Sequence, residues 1–214
     1  LVAGEPSGDI HGARLVSAMK KGHSNILFVG HGGDEMASVG VTIIEHVNNL
    51  SIMGFSEVIH NLHRMFHILD ETVETIKHTM PDRVILIDYP GFNLRLAKKI
   101  RKLNIPITYF ILPQAWAWGE KRVRTMKPLL NQALSIFPFE KEWFEIRGLP
   151  ITYIGHPFVD RPPVKKARTT FLNLHNLDPN HPIITLLPGS RQQEVDQHWP
   201  IFLKTLYLLQ KKVP

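Results

Sequence analysis

Short apolar runs alternate with helix-length amphipathic stretches from one end of the chain to the other. That alternation predicts an α/β fold, a parallel sheet covered on both faces by helices. The predicted strands are Leu1 to Ala3, Ile26 to Val29, Val41 to Ile44, Val84 to Ile87, Ile107 to Leu112, Ala133 to Ile136 and Ile151 to Ile154. Together they complete one Rossmann-like domain. After Gly155-His156-Pro157, the adjacent prolines of Asp160-Arg161-Pro162-Pro163 and the basic residues Lys165, Lys166 and Arg168 mark a linker, which sets a domain boundary at Pro162. Residues 163–214 then open a second Rossmann-like unit, with a strand expected at Ile183 to Leu187 and a helix at Trp199 to Lys212. The chain opens inside a strand, Leu1-Val2-Ala3-Gly4, and stops soon after its second unit begins, so it reads as a piece of a longer protein.

The longest predicted helix runs from Ser56, a plausible N-cap, to about His78. At 100° per residue, Val58, Leu62, Met65, Phe66, Leu69, Val73, Ile76 and Met80 form one stripe, with His60, His63, His67 and His78 near the opposite pole. Core packing accounts for the stripe. With Leu50, Ile52, Met53 and Phe55 ahead of it, however, the stretch from Leu50 to Leu69 is also apolar enough to rest on a membrane surface. The histidine face has the spacing of a metal site, but a solvated face gathers histidines as well, and no metal is expected there.

Composition narrows the classes. Among 214 residues there is no cysteine, which excludes a disulfide scaffold, thiolate zinc, Fe–S ligation and a thiol nucleophile. A hydrophobic share of 43% with 21% charged residues is that of a folded globular chain rather than a disordered one. The apolar stretch from Ile107 to Trp118 is broken by Thr108, Pro113 and Gln114, short of the ~18 continuous apolar residues a span needs. The net charge of +6 favours anionic partners: phosphates, acidic lipid or nucleic acid.

Candidate chemistry gathers where predicted strands end. The first strand runs into Gly4-Glu5-Pro6-Ser7-Gly8-Asp9 and then a helix, a tight turn that lets backbone approach a ligand at the carboxyl edge of the sheet. It is neither G-x-G-x-x-G nor a Walker A loop, and Gly30-His31-Gly32-Gly33 also fails the dinucleotide spacing, with Glu35 where the last glycine should stand. Shaping turns is the alternative role of both clusters. Asp88 closes the buried run Val84-Ile85-Leu86-Ile87 at the same edge, where a partly desolvated carboxylate can act as a general base toward a hydroxyl or can cap the next helix. Trp116 and Trp118 stand beside Lys121, Arg122, Arg124 and Lys127, a mixture that suits an amphiphile, with indole against acyl chain or sugar and cations toward phosphate. Single-stranded nucleic acid also uses aromatics among cations, but no RNA-binding signature accompanies these, and a solvated basic helix face is the plain alternative. In the second unit, Leu187-Pro188-Gly189-Ser190-Arg191 with Glu194 repeats the strand, glycine turn and helix, a layout that attracts phosphate. Two α/β units around a proline-marked hinge suggest a nucleotide-sugar transferase with its cleft between them.

The ordered set Ala3-Gly4-Glu5-Pro6-Ser7-Gly8-Asp9, Ile87-Asp88-Tyr89-Pro90-Gly91-Phe92-Asn93, Trp116-Ala117-Trp118 with Lys121-Arg122, Phe137-Pro138-Phe139-Glu140, Gly155-His156-Pro157 and Leu187-Pro188-Gly189-Ser190-Arg191 with Glu194 closely resembles the lipid-A-disaccharide synthase family over essentially the whole chain. The resemblance implies a two-domain GT-B glycosyltransferase on the cytoplasmic face of the inner membrane of Gram-negative bacteria. Such an enzyme joins UDP-2,3-diacylglucosamine to 2,3-diacylglucosamine 1-phosphate and releases UDP. By that analogy Asp88 is the base toward the acceptor 6-hydroxyl. Arg191 and Ser190, with Glu194, serve the UDP-sugar side. Glu5, Ser7, Gly8, Asp9, Asn93, Trp116 and Trp118 shape the acceptor pocket. No cofactor, metal or nucleic acid is implied, and the membrane is met peripherally through the segment from Leu50 to Leu69 and the cationic patches.

Overall fold

A computed structural model of the protein describes residues 1–23, 25–51, 58–159, 167–189 and 192–212. The chain divides into two compact units, Leu1–Arg161 and Pro162–Pro214.

In the first unit the elements follow as β1 (Val2–Ala3), α1 (Pro6–Gly22), β2 (Phe28–Gly32), α2 (Asp34–Ser38), β3 (Val41–His46), α3 (Val47–Ser51), α4 (Val58–Thr79), β4 (Val84–Ile87), α5 (Pro90–Ile100), β5 (Ile107–Phe110), α6 (Ala115–Trp118), α7 (Lys121–Met126), β6 (Gln132–Ser135), α8 (Pro138–Ile146) and β7 (Thr152–Tyr153). All strand pairs are parallel, in the order β3-β2-β1-β4-β5-β6-β7. Every predicted strand of this unit is present, with ends shifted by a few residues.

Alternation along the strands divides the core between the two faces. On β4, Val84 and Leu86 join a cluster with Leu69, Val73, Ile76, Phe92, Leu96, Tyr109 and Phe144, while Ile85 and Ile87 join another with Ala13, Val16, Met36 and Phe110. Continuous apolar runs are therefore required in the middle strands, since each face has helices against it.

The chain order reverses direction between β1 and β4, the adjacent strands from which the sheet winds both ways. In open α/β sheets this switch point opens a crevice at the carboxyl ends of the strands, and ligands bind there. The Gly4 turn and Asp88 stand at that crevice, held in register by the pairs Val2↔Leu86 and Ala3↔Ile87.

Helix α4 corrects the membrane expectation for part of its stripe. Leu69 is 1% exposed and Leu50 also 1%, and Met65 packs against the same core, so these residues are not a docking surface. Phe66, by contrast, is 45% exposed. Ser56, the expected N-cap, and Ile52 to Phe55 lie outside the described residues. No helix among the described residues is long and apolar enough to cross a membrane, and among those residues no three metal-ligating side chains come together.

The second unit contains α9 (Arg168–Leu174) and α10 (Gln192–Gln210). The strand expected at Ile183 to Leu187 is absent: residues 182–189 have no regular structure, and Ile184 and Leu187 are exposed. A strand exists through its ladder, and among the described residues no neighbour pairs with this segment. The linker around Pro162 lies outside the described residues.

Candidate active site

Asp88 and Tyr89 follow β4 directly, and both have left-handed backbone, with φ of 45° and 48°. Neither is glycine; aspartate tolerates this conformation, whereas a tyrosine there is a genuine outlier. Pro90 at the first position of α5 bars the residue before it from right-handed helix and opens the helix at once. The result is a sharp strand-to-helix corner that presents Asp88, half-buried, at the crevice.

Three groups hold that corner. The Asp88 N–H donates to the Phe110 carbonyl at 3.1 Å. The Asp88 carbonyl accepts from Asn93 Nδ2 and from the Tyr109 hydroxyl, each at 2.7 Å. Asn93 is fully buried and extends the same amide to the Val2 and Ile87 carbonyls at 3.3 Å, so one side chain ties the ends of β1 and β4 to the corner. Its Oδ1 is buried without a hydrogen-bond partner among the described residues. Burial pushes the Tyr109 phenol well above its ordinary range, the Asp88 charge adds to this, and Arg122 and Asn93 oppose it. Tyr109 therefore remains a hydrogen-bond donor across the physiological range.

The Gly4 turn meets this corner face to face. A Cβ on Gly4 would lie 2.1 Å from Tyr89 Cδ1, so only glycine admits the Tyr89 ring against the first strand. Tyr89 also stacks on Phe92, with ring centroids 6.0 Å apart, and burial followed by the Glu5 charge raises its pKa. Glu5 precedes Pro6 as the N-cap residue of α1, Ser7 is exposed in the first turn and Gly8 is buried, where its Cβ would be 3.1 Å from Ala3 Cβ.

Asp9, which the resemblance places at the acceptor pocket, ties the two glycine clusters together. Its buried carboxylate accepts from the N–H groups of Gly33 at 2.7 Å, Met36 at 3.0 Å and Glu35 at 3.1 Å. It caps the start of α2 across the sheet edge and fixes the second glycine cluster beside the first. Within that cluster His31 is 1% exposed, its Nε2 3.0 Å from Thr72 Oγ1. Burial, then the terminal ammonium, lowers its pKa to about 4, so it is neutral at physiological pH.

Trp116 lies on α6 at the end of β5 and donates its indole N–H to Glu140 Oε1 at 3.0 Å. The side chain of Trp118 lies outside the described residues, as do Ser190 and Arg191. Glu194, in the first turn of α10, folds over Gly189, whose Cβ would meet Glu194 Oε2 at 2.5 Å. The structure thus brings Glu5, Gly8, Asp88 and Asn93 to adjacent strand ends, with Trp116 beyond the next strand. Tyr109 was not singled out from sequence, whereas Arg122 was read among the cations beside the tryptophans and Glu140 only as the end of the Phe137-Pro138-Phe139-Glu140 motif.

The family model for lipid-A-disaccharide synthetase matches residues 1–214. The chain belongs to this family. Among its curated relatives, lipid-A-disaccharide synthase of Coxiella burnetii (strain Dugway 5J108-111) is 35% identical over 214 residues, covering 100% of this chain and 57% of that protein. The Myxococcus xanthus (strain DK1622) synthase is 37% identical over 214 residues, covering 100% and 56%. Lipid-A-disaccharide synthase 1 of Legionella pneumophila (strain Paris) is 40% identical over 213 residues, covering 98% and 55%. The chain therefore spans little more than half the length of these lipid-A-disaccharide synthases. A crystal structure of UDP-GlcNAc 2-epimerase from Neisseria meningitidis bound to UDP-GlcNAc matches with a TM-score of 0.53 at 13% identity, covering 72% of this chain and 45% of the other. At that identity the likeness carries the fold alone, a Rossmann-like α/β domain of GT-B type.

Proposed function

We propose that this chain is the acceptor side of a glycosyltransferase that, at the length of its relatives, joins UDP-2,3-diacylglucosamine to 2,3-diacylglucosamine 1-phosphate. Residues 1–162 form the acceptor domain and 163–214 open the nucleotide-sugar domain. The observation that carries the reading is Asp88: a half-buried carboxylate on a left-handed corner at the switch point of the sheet, in a chain whose family makes lipid A disaccharide.

In the proposed step the Asp88 carboxylate takes the proton of the acceptor 6-hydroxyl. The oxygen attacks the anomeric carbon of the donor in line, a new β-1,6 C–O bond forms, and the bond to UDP breaks with its electron pair leaving on the diphosphate. Arg191, Ser190 and Glu194 serve the donor, with Arg191 offering a bidentate charge to phosphate. Glu5, Ser7, Gly8 and Trp116 with Trp118 line the acceptor side, and Asp9 and Asn93 hold that lining in place. The enzyme works on the cytoplasmic face of the inner membrane as a peripheral protein, reached through Phe66 and the exposed cations of α7.

The test is a transfer assay on the full-length protein with both acylated substrates, following UDP release and the disaccharide by mass spectrometry. UDP and disaccharide in equal amounts, only when both substrates are present, is the expected result. UDP release that does not need the acceptor, or an epimerised sugar in place of a disaccharide, contradicts it.

A further inference from the structure

Two motifs remain without a role in that reading, Phe137-Pro138-Phe139-Glu140 and Gly155-His156-Pro157; the fold sets the first against Trp116 and the second against the first, through Phe137 and His156. Glu140 is 1% exposed, at the third position of α8. One of its carboxylate oxygens accepts the Trp116 indole N–H at 3.0 Å, and the other accepts the Phe137 backbone N–H at 3.4 Å. The second bond is half of a capping box, one-sided because phenylalanine offers no side-chain acceptor in return. Among the described residues no cation pairs with Glu140.

A buried carboxylate without a counter-ion is expensive, and burial raises its pKa against the pull of the Trp116, Phe137 and Ile136 hydrogen bonds. An exposed Ser or Asp would cap α8 at lower cost. What Glu140 adds is a rigid link between the start of α8 and the Trp116 ring.

That link heads a row of rings. Trp116 meets Phe139 edge to face with centroids 5.1 Å apart, Phe139 stacks on Phe137 at 5.8 Å, Phe137 meets His156 at 5.5 Å, and His156 meets Phe158 at 4.9 Å. Trp116, Phe139 and Phe158 are 38%, 51% and 59% exposed. Arg14 secures the far end by donating to the Pro157 carbonyl at 3.3 Å. The row runs along the carboxyl edge of β5, β6 and β7, the same edge that holds Asp88, and α7, which carries the exposed Lys121, Arg122 and Arg124, packs against the helix of Trp116 at its head. A sugar ring would occupy one of these aromatics. Several in file suit an extended hydrocarbon chain whose anionic head lies among the cations.

We propose that Glu140 is a positioning residue for the acceptor: by fixing Trp116 it aligns the row from Trp116 to Phe158 as the seat of an acyl chain of the acylated sugar phosphate. The inference deepens the proposed function and rests on it.

The test measures binding by the full-length protein, using calorimetry with 2,3-diacylglucosamine 1-phosphate and with deacylated glucosamine 1-phosphate. Glu140→Ala is expected to weaken binding of the diacyl compound at least tenfold and leave the deacylated one within twofold. Glu140→Gln, which keeps an acceptor for the indole, should stay within threefold for both. Trp116→Ala leaves the cap of α8 intact, so it should reproduce the tenfold loss even if Glu140→Ala fails to fold. Diacyl binding within twofold of wild type in folded Glu140→Ala or in Trp116→Ala, or equal weakening toward both compounds, overturns the proposal. A wild type that binds the diacyl compound but transfers no sugar sinks the function and leaves this inference standing; normal transfer with unaffected variants does the reverse.

Discussion

Left-handed backbone at Asp88 and Tyr89 costs on the order of 1–3 kcal/mol per residue, and it persists because Pro90, Asn93 and Tyr109 over-determine the corner. Tyr109→Phe removes one of the two donors on the Asp88 carbonyl while keeping the packing. We expect a stability loss of about 1 kcal/mol and a fall in kcat of about tenfold with both KM values unchanged. Steady-state kinetics beside a denaturant melt checks this, and a kcat within twofold of wild type would leave Tyr109 as packing alone. Asp88 was legible in the sequence because a buried strand run ends in it. Tyr109 was not: a tyrosine inside an apolar strand reads as core, and its partner is a backbone carbonyl on the neighbouring strand. The capping role of Asp9 was not legible for a related reason, since the helix it caps starts 25 residues further on and capping rules look only to the following turn.

At the scale of elements, α4 shows how one periodic stripe can serve two purposes. Period 3.6 says which side chains share a face but not what covers the face, and Leu69 proves to be core while Phe66 is exposed. Leu69→Ser should lower the melting temperature by on the order of 10 °C. Phe66→Ser should leave the melt within about 2 °C and reduce co-sedimentation with anionic vesicles. If Phe66→Ser sediments like wild type, docking belongs to the cations of α7. The same limit of local reading explains Ile183 to Leu187. Apolar β-branched content announces a strand, but only a paired neighbour makes one, as all the strands of the first unit have.

Across the whole molecule, the doubly wound sheet was legible because its continuous apolar runs and amphipathic spacers leave little choice of architecture. The order that places β1 beside β4 followed less directly, since it depends on long-range pairing, yet it is what brings the Gly4 turn against the Asp88 corner. The central claim is that this corner supplies the base for sugar transfer, and Asp88→Asn in the full-length enzyme tests it most directly. The amide keeps the shape and the backbone hydrogen bonds of the corner while losing the proton acceptor. The account predicts a kcat lower by about two to four orders of magnitude, with acceptor binding nearly unchanged. A folded Asp88→Asn enzyme with kcat within about threefold of wild type would contradict it.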